Sequence, residues 1–267
     1  MIPMVLAGPM APEIIKLFND LFPPGVDRGM GIELLRMGPV ERCEISRRIN
    51  RFVVEVIVDG EPRMALNTNT GRLADLIAAG RGAVCKPREG GRTDCALIAV
   101  DFHGRGLAIV DTRTQALAFE EAIGRGLIGW LRGGSIAKRG PRLGDSIIDY
   151  LLDLGGAAVW LELKSAVLLH EGDKAGYPDC PTPRGRRQLR ELMRLAGSGG
   201  RGILAFAVAL PNVKAFKPYE RGDPEMARLI SEARCTGVDV RAFGIEGVLE
   251  DRMLRVDLWS DDLPVVL

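Results

Sequence analysis

Residues 146–165 read SIIDYLLDLGGAAVWLELKS, two strand-like runs joined by Gly155-Gly156. A glycine pair between such runs signals a two-residue hairpin, because both turn positions of the favoured type need positive φ. Taking it as the turn fixes the register: Ile148 faces Leu163, Tyr150 faces Leu161, Leu152 faces Val159, and Asp149 faces Glu162. One face of the ribbon is then apolar, and the other sets two carboxylates opposite each other.

Directly opposed side chains have Cβ atoms about 4.5–5.5 Å apart, and like charges there destabilise a sheet. Lys164, one strand period beyond Glu162, supplies part of the compensating charge. A hard divalent ion, Mg2+ or Mn2+, between Asp149 and Glu162 would supply the rest. Such an ion polarises a phosphoryl oxygen and activates a water, with Lys164 steadying the nucleophile or the developing charge; this is the chemistry of phosphodiester hydrolysis. The competing reading is a solvated hairpin face on which acids and bases alternate.

Beyond the hairpin, residues 114–250 alternate helical and strand patterns: helices over 116–131, 184–196 and 224–235, and strands over 146–153, 157–165, 202–210 and 238–243. That alternation predicts an α/β layer. Residues 45–113 differ, with short strands expected over 52–58, 63–66, 80–86, 95–100 and 107–111, and one helix over 72–79. Their number and length suggest a small OB-like barrel. Residues 1–44 read as a helix over 12–22 and a Gly/Pro-rich connector, and residues 251–267 as a tail.

The bulk numbers agree with two folded domains in 267 residues: 46% hydrophobic, 27% charged, net charge +1. A balance so near neutral means that any nucleic-acid partner must meet a local basic surface. The five cysteines are scattered without a Cys-x-x-Cys pair, which suggests neither a zinc knuckle nor a disulfide framework and points to a reduced, cytoplasmic setting. Met1 to Ala11 is too short and too interrupted by proline for a signal peptide or a membrane span, and no membrane partner is expected.

Three segments together carry a resemblance: Gly144 to Leu152, Leu161-Glu162-Leu163-Lys164-Ser165, and Tyr177 to Gly185 (YPDCPTPRG). With Arg47-Arg48-Ile49-Asn50-Arg51-Phe52, Asn69-Thr70-Gly71 and Asp223-Pro224, they are similar to the signature of the sugar fermentation stimulation protein A family. The resemblance implies an N-terminal OB-like domain followed by a restriction-endonuclease-like domain of PD-(D/E)xK type. It also implies DNA binding without marked sequence preference, and a link to regulation of sugar catabolism genes. Asp149, Glu162 and Lys164 match the nuclease core, while Asp179 and Arg184 match a second cluster bordering the cleft. Where the family usually has a Glu before the Gly144 motif, this chain has Arg139-Gly140-Pro141, and Ile147 and Gln188 replace the usual Arg and His. Two carboxylates then leave one-metal catalysis, or binding without cleavage.

Arg184, Arg186, Arg187, Arg190 and Arg194 crowd one expected helix against Glu191 alone, which suggests a phosphate-contacting face. Arg47, Arg48 and Arg51, with Arg72, could line a groove on the barrel, where only Phe52 and Phe102 offer base stacking. Asn69-Thr70-Gly71 could instead cap the helix expected after it. His103 and His170 are too far apart in sequence to suggest a triad. The partner expected is DNA, or RNA, and the oligomeric state is left open, a homodimer included.

Overall fold

The computed structural model describes residues 31–267, so the helix expected over 12–22 lies outside the described residues. Strand β1 is Ile32–Met37, followed by β2 (Glu41–Arg48), β3 (Val53–Val58), β4 (Glu61–Leu66), β5 (Gly82–Pro87) and β6 (Cys95–Asp101). Antiparallel pairing runs β4-β3-β2-β5-β6, and β4 then meets β6 in parallel through Ala65↔Cys95 and Leu66↔Ala96. This closes a five-stranded barrel, which leaves no free edge. Its interior holds Cys43, Ile45, Val54, Val56, Ala83, Cys85, Leu97 and Ala99.

After β7 (Leu107–Ile109) come α1 (Thr112–Gly124), β8 (Gly134–Arg139), β9 (Arg142–Leu143), β10 (Ser146–Ile147), β11 (Tyr150–Leu154) and β12 (Ala157–Ala166). Then follow β13 (Leu168–His170), β14 (Lys174–Tyr177), α2 (Pro183–Gly197), β15 (Arg201–Val208), β16 (Ala215–Pro218), α3 (Pro224–Cys235), β17 (Asp239–Glu250) and β18 (Met253–Ser260). The sheet order β7-β17-β15-β12-β11-β8 is parallel at β12-β15-β17, as expected where helices cover both faces. Phe119 of α1 meets Tyr150 on one face, while Gln188 of α2 meets Lys164 on the other. The barrel and the α/β layer share one sheet through Gly247↔Leu107; a Cβ on Gly247 would lie 2.9 Å from Ile109 Cδ1 and 3.0 Å from Leu107 Cβ, so the glycine keeps this crossing uncrowded.

The β11-β12 ribbon turns at Gly155-Gly156, both at positive φ, and pairs Tyr150 with Leu161 and Leu152 with Val159, the register expected. Four expectations are corrected. The strand expected over 146–153 breaks at Ile148-Asp149, because Ile148 N–H donates to Pro141 O and Gly140 N–H to Asp149 O, which pulls the chain away from β12. The helix expected over 72–79 is a set of turns: Asp179 takes the N–H of Leu73 and Arg48 the carbonyls of Gly71 and Arg72, so tertiary partners replace helical ones. The helix expected over 116–131 starts and ends earlier and gives way to a 3-10 turn at Gly129–Leu131. The stretches read as connector and tail contain β1 and β18, which pair with each other; β1 takes its hydrogen-bond partners from this distant segment, while β18 also forms a hairpin with β17 through Glu250↔Met253.

Asp111 ties the two domains at their seam. It caps α1 through Thr114 N–H at 2.8 Å and accepts the hydroxyls of Thr114 and Thr68, each at 2.7 Å, Thr68 lying just past β4. Asp111→Ala removes a buried cap and takes the acceptor from the hydroxyls of Thr114 and Thr68. The expected cost is about 2–3 kcal/mol, measured as a lower urea midpoint with unchanged slope; an unchanged midpoint would show that the seam does not depend on this carboxylate.

Candidate functional site

β12 runs between β11 and β15, so it is walled by hydrogen-bonded strands, and its even-numbered side chains point toward α2. Glu162 and Lys164 therefore share a face two residues apart, both shielded from solvent. Lys164 Nζ donates to Glu162 Oε1 at 2.5 Å and to Gln188 Oε1 at 2.9 Å, and Gln188 Nε2 donates to the carbonyl of Ile147 at 2.8 Å. Asp149 sits on the bend before β11. Its N–H donates to Glu162 Oε2 at 3.2 Å, and its Oδ2 accepts the N–H of Leu163 at 2.8 Å. The bend thus does what a straight ladder would not: the Asp149 side chain takes the backbone donor that Ile148 was expected to pair with.

Burial is the chief reason that the Glu162 carboxyl is pushed up to about 7; the charge of Asp149 adds to it, and Lys164 opposes it by charge and hydrogen bond. Burial by itself would lower Lys164, but the charges of Glu162, Tyr177 and Asp149 and the bond to Glu162 outweigh it, so the ammonium holds its proton more tightly than usual. Lys164 is accordingly a fixed cation rather than a proton donor near neutral pH.

The residues fit a hard divalent cation. Asp149 and Glu162 are oxygen donors joined through the Asp149 N–H, and Asp149 Oδ1 has no protein donor among the described residues. No group of three or more His, Cys, Asp or Glu converges as a metal cage among the described residues. Two carboxylates suit Mg2+, which usually keeps several waters.

Asn69 and Asp179, expected to border this cleft, lie in a neighbouring one, about 310 Å³, between the barrel and the α/β layer. Asn69 Nδ2 donates to Ser165 Oγ at 3.1 Å and its Oδ1 accepts from Gly71 N–H. With no helix after it, the Asn-Thr-Gly motif fastens the barrel's loop to the end of β12 rather than capping anything. Tyr177 borders both places: its ring lines the cleft and its hydroxyl bonds Thr182 and faces the charge of Lys164. His103 and His170 stay apart; His170 Nε2 lies 3.1 Å from the carbonyl of Lys217.

The arginines divide into used and unused. Arg186 pairs with Asp223 at 3.0 Å and Glu225 at 2.7 Å, Arg190 pairs with Glu225, and Arg194 with Glu191 at 2.6 Å. The crowding that suggested an external anion is thus answered by α3, which no reading of α2 alone could show. Arg184 and Arg187 are exposed and have no acidic partner among the described residues. On the barrel, Arg48 is consumed by loop carbonyls and Arg47 by Glu55, while Arg51 lines the cleft with its guanidinium 4.6 Å from the ring of exposed Phe52. Phe102 is buried, which removes it as a stacking surface. Gln188 was missed by the sequence reading, although it left a trace: it is a polar residue in the buried stripe Gly185, Gln188, Leu189, Leu192 of α2.

The pattern of the sugar fermentation stimulation protein RE domain matches residues 113–250, and that of the SfsA N-terminal OB domain matches residues 47–110. The sugar fermentation stimulation protein homolog of Pyrococcus furiosus is 44% identical over 223 residues, covering 84% of this chain and 96% of that protein. The Archaeoglobus fulgidus homolog is 42% identical over 225 residues, covering 84% and 95%. A solved structure of Pyrococcus furiosus SfsA in complex with Ca2+ superposes with a TM-score of 0.83 at 42% identity, covering 88% of this chain and all of that one. Two domain patterns matched in order, on a barrel and an α/β layer joined as described, place the chain in the sugar fermentation stimulation protein family.

Proposed function

We propose that the protein is a cytoplasmic nucleic-acid-binding protein whose α/β domain holds Mg2+ or Mn2+ between Asp149 and Glu162 and hydrolyses phosphodiester bonds. The observation that carries this reading is the buried Glu162 carboxylate beside Asp149, with one fixed ammonium, Lys164, on the same face. A pair of this kind is costly to bury for structure alone. The relative solved with Ca2+ supports a site for a hard, oxygen-seeking ion.

The bound cation would polarise the scissile phosphoryl group and lower the pKa of a water. The protein's own residues do the rest. Gln188 and Glu162 fix the Lys164 ammonium where negative charge develops on the phosphoryl oxygens. Arg184 and Arg187, in the first two turns of α2, are free to take backbone phosphates on either side. Arg51 and Phe52 at the barrel's hairpin tip offer a cation and a ring to the same strand.

A second reading, favoured by the convergence of only two carboxylates, is a non-catalytic, sequence-nonspecific DNA-binding regulator of catabolic genes. Incubating the protein with labelled single- and double-stranded DNA and RNA, with and without Mn2+ or Mg2+, separates the two. Hydrolysis requires that wild type cut a substrate and that Glu162→Ala and Lys164→Ala each lose at least about 10²-fold in rate while still binding. Salt-dependent retardation without a cut under any metal gives the regulator reading.

Because protons and metal compete for Glu162, Mn2+ affinity measured by calorimetry is expected to fall about tenfold per unit as pH drops below about 7 and to level off above it. A flat profile from pH 5.5 to 8.5 would show that no carboxyl raised into this range competes with the metal. Replacing Arg184 and Arg187 together by alanine is expected to make the plot of log K against log salt shallower by about 2, one phosphate each; an unchanged slope would place the phosphates elsewhere.

A further inference from the structure

Three of the five cysteines, distant in sequence, meet inside the barrel. Cys43 on β2, Cys85 on β5 and Cys95 on β6 are all buried. Cys43 pairs in register with Ala83, and Cys85 with Glu41, so the two cysteines are diagonal neighbours on the inner face of adjacent antiparallel strands. The right-handed twist of a small barrel brings one diagonal of each such pair close. Their sulfur atoms lie 2.8 Å apart. That is shorter than the ~3.5–4.0 Å at which even carbon atoms make their best non-bonded contact, and under an ångström from the ~2.05 Å of a covalent S–S bond. Cys85 also hydrogen-bonds Cys95, whose sulfur reaches toward the carbonyl of Met64 at 3.8 Å.

We propose that Cys43 and Cys85 form an intramolecular disulfide that fastens β2 to β5 and so locks the barrel wall carrying Arg47, Arg48 and Arg51. The oxidant is a small disulfide of the glutathione class. One thiolate attacks it to give a mixed disulfide and release one thiol, and the second cysteine then displaces the other. The chain loses two hydrogens, forms one S–S bond, and the oxidant leaves as two thiols. Cys180 and the exposed Cys235 have no cysteine partner among the described residues and serve as internal controls. The inference does not depend on whether the α/β domain is catalytic.

The test uses the full chain, incubated folded with excess oxidised glutathione over a range of temperatures below its melting point. It is then blocked with N-ethylmaleimide in denaturant and digested without reductant. Mass spectrometry is expected to find the Cys43 and Cys85 peptides joined and 2 Da lighter than their sum, with Cys95 carrying the maleimide and Cys235 carrying glutathione or maleimide. The oxidised protein is expected to melt several degrees above the reduced one, and Cys95→Ala to keep both the link and the shift. Maleimide on both Cys43 and Cys85 under conditions that glutathionylate Cys235 overturns the proposal, as does a link joining Cys85 to Cys95. Since wild type alone gives the decisive map, a variant that fails to fold does not blunt the test.

Discussion

A carboxylate buried on an inner strand of a mixed sheet has to be answered by something, and at Glu162 the answer organises the α/β domain. Lys164 supplies the charge, Gln188 holds Lys164, and the carbonyl of Ile147 holds Gln188, so a strand, a helix and the loop before β11 are fixed by one chain of hydrogen bonds. Asp149 enters from that loop and donates its own N–H to the same carboxylate. Burial, with the charge of Asp149 added, keeps the Glu162 carboxyl raised against the pull of Lys164. Replacing the set by apolar residues would be the easier way to fill the space.

The barrel is attached to this centre by short polar contacts rather than by a linker. Thr68 binds Asp111 at the head of α1, Asn69 binds Ser165 at the end of the strand that bears Glu162 and Lys164, and Asp179 holds Leu73. The Gly71 backbone is pinned from both sides, by Asn69 and by Arg48. Loop 67–77 can therefore dispense with regular structure, since its backbone groups find partners across the seam. The consequence for function is geometric. Arg51 is carried to the cleft that Ser165 and Tyr177 also line, with Phe52 beside its guanidinium.

Much of this was legible in residues taken singly or in short runs. The glycine pair fixed the ribbon, the apolar alternation fixed which face is buried, and Asp223-Pro224 marked the start of α3 to the residue. Much of what failed did so because the deciding partner lay far along the chain. β1 and β18 complete each other, the turns at 72–79 obey Asp179 and Arg48, and α3 supplies the anions for Arg186 and Arg190. Gln188, known from the sequence only as standing where the family usually has His, lies buried against Lys164.

By itself the sequence determined the barrel followed by an α/β layer, the register of the hairpin from Tyr150 to Leu161, and the shared face of Glu162 and Lys164, because these rest on local turn chemistry and on period-two patterning that travels with the strand. Only the tertiary structure decided that Asp149 reaches Glu162 from a bend, which arginines are left without a carboxylate, and that Cys43 and Cys85 touch. Each of those depends on strand order, twist or helix packing, and these bring together residues whose spacing along the chain carries no trace of the encounter.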